Sequence, residues 1–440
     1  MFQNTVYSSP SGIKYFVPSK ELISVEQIIK SSNAKMAYKM AIIGALLGDA
    51  KGTSTEFVER VDINNIYSDA LNTTWINFKD KHRSRFHCGF GTDDTAQLYM
   101  YINTLAKNTT NKFDHKDYSN FILLLLRWFS GGLPEIGHPE CQGIGNLTFN
   151  VLKYLMSNIK KAVRNDEIIW KNNVTQDMIY QYKEEFELTN ELVNNIDSFK
   201  NFDFFTPAKL AWKQILRNDK FKPQPNGAVM RTSVLGFTRD LDIAFHNTKQ
   251  LASLTHYDIN CTASCLVIVG LMNYILYNDI YNVDFHDVLT TIINSVKKYV
   301  YANTDTDIDT DNDFDLDSFD KYCNIKNLSE LVHEIDGQKM GYTYICMACG
   351  IFALRKVFDI NTKNVKNINN IFDPILEITK MGGDADTNAT VAGALVGAYY
   401  GRIKDDNKDI IFDFSHNLFK VPKELYEMYF NCCHDLLQNL

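Results

Sequence analysis

Two short segments of the sequence concentrate oxygen-bearing side chains in the pattern of hard metal ligands. One reads GTDDT at 91–95 and the other reads GGDADT at 382–387. Each stands just before an apolar helical pattern, so each is also typical of a helix N-cap, where Thr and Asp accept hydrogen bonds from free backbone N–H groups. The residues that could bind metal are Thr92, Asp93, Asp94, Asp384, Asp386 and Thr387.

The four aspartates of these segments imply a charge problem if the two helix ends meet. Carboxylates at close range repel one another, and some stay protonated unless cations compensate them. Two divalent ions would balance four ionised carboxylates, and ligation by oxygen alone favours Mg²⁺ or Mn²⁺ over zinc. We therefore expect two Mg²⁺ or Mn²⁺ ions, with Asp93, Asp94 and Asp386 in a catalytic centre.

A glutamate follows the glycine-rich segment GALLGDAKG at 44–52. If Glu56 lies beside the metal pair, it is a candidate for handling the proton during bond cleavage. The alternative is a surface glutamate at the end of this helix, and the sequence alone leaves both interpretations open.

Two further motifs lie between the aspartate segments. The Asn226-Gly227 turn precedes a helical pattern, and its backbone N–H groups could hold a diphosphate, although an ordinary turn before a helix is equally consistent. His256 and Asp258 stand two apart in LTHYD at a helix boundary. Taken alone, such a histidine is more often structural than a ligand.

The elements that must position these residues are almost all helical. Apolar residues recur at three- and four-residue spacings, and alternating strand patterns are few and short. Gly44, Gly48 and Gly52 would line one helix face, as would the glycines of GALVGAYYG at 393–401. Each interior glycine costs about 1 kcal/mol against alanine, so the stripes predict two helices that pack very closely. We expect an all-α, orthogonal multi-helix bundle.

Composition limits the class of protein. The 440 residues carry a formal net charge of −8, which argues against a general nucleic-acid binder. Nine scattered cysteines without a secretory leader suggest a reduced protein. Cys346 and Cys349 form a lone CxxC within an apolar helical run, which favours a core role over zinc or redox chemistry. The apolar run at 265–276 is short for a bilayer and predicts a buried helix. We expect a cytoplasmic protein without a membrane partner.

Three segments look like additions to the helical body. Residues 1–34 are predicted to be an N-terminal extension, with the main domain at 35–440. Residues 157–205 predict a polar helical insertion, and residues 303–320 an acidic loop. The aspartates at 305, 307 and 309 have EF-hand spacing, but Thr310 replaces the required glycine and Leu316 the bidentate glutamate, which favours a solvated loop over a calcium site.

Together these motifs resemble the ADP-ribosylglycohydrolase family. They occur in the family's order: GxxxGDAxG with a following glutamate, TDDT, xNGxxMR, THxD and GGDxDTxAxxxGAxxGAYYG, from about residue 35 to 402. The resemblance implies an all-α fold with two divalent metals bound by the threonines and aspartates named above. It also makes Asn226, Gly227 and His256 contacts of diphosphate and ribose, with Gly145 in the substrate site.

The activity implied by the resemblance is metal-assisted hydrolysis of the C1″ glycosidic bond of ADP-ribose attached to a protein side chain or small carrier. The bond would break with oxocarbenium character. Glu56 matches the gating or acid–base glutamate of members that release ADP-ribose from serine. The alternatives are a silent ADP-ribose-binding or structural member, and a hydrolase of another nucleotide that contains ADP-ribose.

Two departures from the family pattern concern the substrate. Arginine-directed members often carry an Asp-Ile-Gly-x-x-Thr element, whereas Gly143 stands here where that aspartate would be, leaving Glu135 or Glu140 to supply the charge. This weakens the case for an arginine substrate. Pro225 also replaces the usual glycine before Asn226, which would alter how the turn approaches phosphate.

Overall fold

The computed structural model of the chain describes most of the helical body and short pieces of both ends. The described residues are 6–8, 14–16, 22–24, 36–67, 82–83, 86, 89, 91–164, 202–219, 222–281, 283–303, 311–335, 339–362, 373–406, 420–422, 429 and 432–433.

The described body is all-α, as the sequence predicts. Its α-helices, numbered here in chain order, are α1 Met36–Gly52, α2 Arg60–Tyr67, α3 Asp93–Lys107, α4 His115–Gly131, α5 Asn146–Arg164, α6 Thr206–Asp219, α7 Val229–Thr232, α8 Leu241–Ser253, α9 Ile259–Tyr277, α10 Phe285–Asn303, α11 Leu316–Cys323, α12 Val332–Ile335, α13 Thr343–Thr362, α14 Asp373–Thr379 and α15 Ala385–Asp406. Short 3₁₀ turns occur at Pro134–Ile136, Ser233–Phe237 and Leu328–Glu330.

The two glycine-striped helices, α1 and α15, form the central pair that the sequence predicts. A Cβ placed on Gly44 would lie 2.0 Å from the carbonyl oxygen of Gly393, and a Cβ on Gly393 would lie 2.0 Å from that of Gly44. Further along, Gly48 faces Ala389 and Gly397 faces Met40, so the helices run antiparallel with their backbones in contact. This places the C-terminal end of α1 against the N-terminal end of α15.

The most apolar helix, α9, lies in the core beside this pair. By length and composition it could cross a membrane, but 83% of its apolar window is buried inside the protein. The burial confirms the prediction of a core helix. Cys346 and Cys349 on α13 are also fully buried, which confirms a packing position for the CxxC sequence, and every cysteine within the described residues is free.

Four three-residue strands lie near the chain ends. Val6–Ser8 pairs antiparallel with Lys14–Phe16, within the predicted N-terminal extension. Leu22–Ser24 pairs antiparallel with Lys420–Pro422, so the extension contacts the C-terminal segment through backbone hydrogen bonds. That long-range pairing carries no local sequence signal, because three residues show no useful periodicity.

The predicted additions are only partly described. Residues 157–164 are helical and continue α5, while 165–201 lie outside the described residues. The prediction of a loop through residue 320 is wrong from Leu316 onward. There α11 begins, because Asp315 accepts a cap hydrogen bond from Ser318 N and Phe319 packs into the core. The EF-hand-like aspartates at 305–309 fall outside the described residues.

Candidate active site

Asp49, near the end of α1, joins that helix to the start of α3. Its Oδ2 accepts hydrogen bonds from Thr92 N at 2.8 Å, from Thr95 N at 3.0 Å and from the Thr95 hydroxyl. Asp49 therefore caps α3 from another helix, which fixes the direction of the TDDT segment. The sequence analysis did not assign Asp49 to the site. The signal was an aspartate placed between glycines on a helix that buries nearly every residue.

The first aspartate segment occupies the N-terminal turn of α3. Thr92 is the N-cap, and its Oγ1 contacts both Asp94 N at 3.4 Å and Asp94 Oδ2 at 3.2 Å. Asp93 Oδ2 accepts a hydrogen bond from Gln97 Nε2 at 3.0 Å. The capping interpretation of this segment is thus confirmed for Thr92, while both aspartate side chains point to partners beyond the cap.

The second aspartate segment meets the first. Thr387 on α15 donates a hydrogen bond to Asp94 Oδ2 at 3.3 Å. Before it, Gly382 and Gly383 adopt φ of +71° and +62°, a region in which a side chain would be strained. A Cβ on Gly382 would also lie 2.0 Å from the carbonyl oxygen of Val58, so this turn requires glycine for space as well.

The same glycine turn holds the segment that carries Glu56. Phe57 N donates to Gly383 O at 2.6 Å, and Gly383 N donates to Val58 O at 3.2 Å. Carboxylate oxygens of Glu56, Asp384 and Asp386 come within 4.8 Å of one another. Glu56 is therefore a buried neighbour of the second aspartate segment rather than a surface residue.

Glu56 also has two partners that the sequence analysis missed. His82 Nε2 lies 3.0 Å from Glu56 Oε2, and the Arg83 guanidinium donates to the Glu56 carbonyl oxygen. These residues precede the TDDT segment by about ten positions and belong to no motif. Only their proximity in the fold reveals them.

Burial and mutual repulsion dominate the electrostatics of the site. Burial raises the pKa of Asp93, Asp94 and Asp386 well above the ordinary value, and the neighbouring carboxylates raise each further. Burial also raises the pKa of Asp384. It raises the pKa of Asp49 to about 6, against the opposing effect of hydrogen bonds from Thr95 and Thr92.

The donor set fits divalent cations. Asp49 Oδ1, Asp94 Oδ1 and Asp386 Oδ1 are buried and have no hydrogen-bond partner. A buried, unpaired carboxylate oxygen is unfavourable unless a cation or proton compensates it. Carboxylate and hydroxyl oxygens are the ligands that Mg²⁺ and Mn²⁺ prefer. The two segments that carry the predicted metal residues therefore meet, and their ligand atoms are of the kind that such ions bind.

The Asn226-Gly227 turn lies between the aspartates and His256. Asn226 Nδ2 donates to Asp384 Oδ2 at 2.7 Å, and Asn226 N donates to Gly341 O at 3.0 Å. A Cβ on Gly227 would lie 3.0 Å from His256 Nε2. The turn therefore contacts both a carboxylate of the second aspartate segment and His256.

The residues of the 135–148 segment differ in how close they lie to the carboxylates. A Cβ on Gly143 would lie 2.4 Å from Asp93 Oδ1, so Gly143 borders the carboxylates directly. An added Cβ on Gly145 would meet nothing within 4 Å, so the space on that side of Gly145 is open. Glu135 pairs with Arg127 at 3.0 Å, whereas Glu140 accepts a hydrogen bond from Gln142 and keeps a buried Oε2 without a partner.

A family model described as ADP-ribosylglycohydrolase matches residues 31–426. The chain belongs to the ADP-ribosylglycohydrolase family. The match covers the bundle and both aspartate segments, and it confirms the resemblance that the motifs indicate. The family points to hydrolysis of ADP-ribosylated substrates.

One characterised protein has a sequence similar to part of this chain. The ADP-ribosylarginine hydrolase Tri1 of Pseudomonas putida (strain GB-1) is 30% identical over 117 residues. The aligned region spans 26% of this chain and 27% of the relative.

Proposed function

We propose that this protein is a metal-dependent hydrolase that cleaves the C1″ glycosidic bond of ADP-ribose attached to a protein side chain or a small carrier. The observation that carries the proposal is the meeting of two aspartate segments at one buried site, with the Asn226-Gly227 turn and His256 alongside. Family membership supports the ADP-ribosyl chemistry. The linkage, the metal and the roles of individual residues are part of the proposal.

The metal ligands we propose are Thr92, Asp93, Asp94, Asp384, Asp386 and Thr387. Two bound Mg²⁺ or Mn²⁺ ions would supply Lewis-acid polarisation and offset the carboxylate charge. Hydrogen bonds within the protein preorganise this site. Asp49 holds the turn of α3, and Thr92 and Thr387 orient Asp94 through its Oδ2, which leaves Oδ1 bare.

Glu56 is the proposed acid–base residue. Its carboxylate oxygen lies within 4.8 Å of those of Asp384 and Asp386, close enough to serve the same substrate atom. His82 contacts the carboxylate and Arg83 the backbone carbonyl, so both the side chain and the loop are held. A general acid or base placed in this way contributes about 10²–10⁴ in rate.

The substrate-binding residues we propose are Asn226, Gly227, His256 and Gly145. Because Gly227 has no side chain, it can lie close to the edge of the His256 ring, and we propose that a phosphate or ribose oxygen binds beside these two residues. Among these, Gly145 is supported only by its match to the glycine of the Asp-Ile-Gly-x-x-Thr element and by the open space beside it.

The side chain that carries ADP-ribose is either serine or arginine in this proposal. Glu56 favours a serine linkage through the resemblance, whereas the name of the similar Pseudomonas protein favours arginine. Of the two acidic residues considered for a guanidinium, Glu135 is already paired with Arg127, and only Glu140 keeps an unpartnered buried oxygen. A test with both linkages therefore covers the substrates that the observations favour.

The experiment is hydrolysis in ¹⁸O-labelled water with serine- and arginine-ADP-ribosylated peptides and Mg²⁺, followed by mass spectrometry. Cleavage at C1″ places ¹⁸O on released ADP-ribose and returns the unlabelled peptide. Label on the peptide, or release of AMP instead of ADP-ribose, would contradict the proposed bond. No product from either peptide, together with measurable ADP-ribose binding, would favour the silent binding alternative.

A further inference from the structure

A buried hydrogen-bond chain links Asp93 of the carboxylate site to His256, beside the Asn226-Gly227 turn. Asp93 Oδ2 accepts from Gln97 Nε2 at 3.0 Å, and Gln97 Oε1 accepts from the Arg231 guanidinium. A second guanidinium nitrogen donates to Thr255 Oγ1. Thr255 Oγ1 in turn lies 2.8 Å from His256 Nδ1.

Arg231 is a fully buried side chain of α7. Its guanidinium carbon lies 5.2 Å from the ring centroids of Tyr101 and Phe121, and no ion pair with a carboxylate joins it within the described part of the chain. A buried charge held by aromatic faces and neutral acceptors has little freedom to reorient. Its two donated hydrogen bonds are therefore fixed in direction.

The hydrogen-bond donors and acceptors along the chain favour one state of His256. A guanidinium only donates, so the Thr255 oxygen must be the acceptor of the bond from Arg231. If His256 Nδ1 carried a proton, it would donate to the second lone pair of this oxygen, and the threonine hydroxyl hydrogen would have no acceptor among the described residues, so we take Nδ1 as the acceptor. A ring nitrogen that accepts a hydrogen bond carries no proton, so the proton of the neutral ring sits on Nε2.

We propose that Arg231 is a positioning residue which, through the Thr255 hydroxyl, holds His256 as the Nε2–H tautomer and presents that N–H to the ligand beside Gly227. The ligand in this inference is the ADP-ribose of the proposed function, on which it rests. The opposite end of the same guanidinium steadies Asp93 through Gln97. One buried arginine thus orients both Asp93, a proposed metal ligand, and His256, a proposed hydrogen-bond donor to ADP-ribose.

Two observations support this assignment. The Nε2–Cε1 edge of the His256 ring lies against Gly227, with Nε2 at 3.0 Å and Cε1 at 3.1 Å from an added Cβ. Burial lowers the pKa of His256 well below its ordinary value, and the charge of Arg231 lowers it further, so the ring is neutral at physiological pH. A neutral imidazole presents a hydrogen to the pocket only if its other nitrogen is the one without a proton.

The first experiment reads the tautomer without substrate. Protein labelled with ¹⁵N at its ten histidines is compared with the His256→Gln variant, which assigns the two resonances of His256. We expect the Nε2 resonance in the protonated range and Nδ1 in the unprotonated range. A protonated Nδ1 in the wild-type protein would overturn the proposal. This readout does not depend on whether hydrolysis occurs.

The second experiment tests the link through Thr255. Thr255→Val removes the hydroxyl and keeps the shape, whereas Thr255→Ser keeps the hydroxyl and serves as the rescue. A lost charge-assisted hydrogen bond corresponds to about tenfold or more in affinity. We expect Thr255→Val to show a mixed His256 tautomer and about tenfold weaker ADP-ribose binding by calorimetry with Mg²⁺, while Thr255→Ser resembles wild type.

The outcomes separate a positioning role from simple packing. An unchanged tautomer and unchanged affinity in Thr255→Val would overturn the proposal. If Thr255→Val does not fold, the Thr255→Ser and wild-type spectra still decide, because both must show the Nε2–H form. A normal tautomer with no ADP-ribose binding in any variant would instead contradict the proposed function and leave the assignment of the tautomer intact.

Discussion

Thr387 donates a hydrogen bond to Asp94 at 3.3 Å, across 293 positions of sequence. The same Asp94 oxygen also accepts from Thr92 Oγ1 at 3.2 Å, so hydroxyls from both aspartate segments hold one oxygen of the carboxylate. The other oxygen, Asp94 Oδ1, is buried without a partner. The two segments therefore form one site, and Asp94 stands at the point where they join.

Asp94→Asn is expected to change stability in opposite directions with and without metal. The substitution removes a carboxyl group whose ionisation is disfavoured by burial and by the neighbouring carboxylates, so the melting temperature in EDTA at pH 8 should rise. Mg²⁺ should raise the free energy of unfolding of the wild-type protein by about 2.7 kcal/mol at a hundredfold excess over the dissociation constant, and this increase should disappear in Asp94→Asn. Thermal unfolding measures both, with the exposed Asp219→Asn as the matched control. A full Mg²⁺ response in Asp94→Asn would rule out its role as a ligand.

The stability of the metal-free protein should fall as pH rises. The folded pKa values of Asp93, Asp94 and Asp386 lie well above the ordinary value, so the folded state binds more protons than the unfolded state. Stability is then highest below the unfolded-state pKa near 4 and is lost as pH rises through the raised folded values. Metal ions compete with these protons, so the Mg²⁺-induced melting shift should grow from pH 5 to pH 8. A shift that stays constant or shrinks would contradict this electrostatic account.

Glu56→Gln is expected to lower turnover while leaving metal binding in place. Glutamine preserves the shape and the contact with His82, but it cannot transfer a proton at neutral pH. We expect kcat to fall about a hundredfold or more, with the Mg²⁺ melting shift retained. Glu59→Gln, three residues away and exposed, is the control for the charge change. Wild-type kcat in Glu56→Gln would remove it from the mechanism.

Gly393→Ala tests the central helix pair. Its Cβ would overlap the carbonyl oxygen of Gly44, which is backbone and has no rotamer to change. Such overpacking costs about 1–3 kcal/mol, and it would separate the helix ends that carry Asp49 and Asp386. Gly131→Ala is the control, because nothing lies within 4 Å of its added Cβ. Equal unfolding free energies for the two variants in urea would show that the close approach is not required.

The sequence predicted those features that spacing and residue chemistry encode locally. Glycines four apart cost stability unless a second backbone approaches, and Gly44 does meet Gly393. Threonine and aspartate before an apolar helix predicted the cap at Thr92 and the carboxylates beside it. In both cases the residue types and their spacing within one short segment carry the signal.

The features that the sequence did not predict depend on contacts between distant segments. His82 and Arg83 belong to no motif, yet they hold Glu56. The buried Arg231 was part of a motif, but its link to His256 through Thr255 appears only when α7 and the end of α8 are packed together. The acidic segment was predicted to be a loop through residue 320 because its charges suggested solvent, whereas the buried Phe319 makes it helical from Leu316. The cytoplasmic location stays a prediction.

The most direct test of the account is metal-dependent release of ADP-ribose, measured by mass spectrometry on serine- and arginine-modified peptides. Wild-type protein is assayed with Mg²⁺ and again after EDTA, beside Asp386→Asn and the Asp219→Asn control. We predict that the wild-type protein releases ADP-ribose from one of the two peptides. EDTA and the Asp386→Asn substitution should abolish this release, and Asp219→Asn should preserve it. Release that persists in EDTA, or at the wild-type rate in Asp386→Asn, would contradict a catalytic metal site at these aspartates.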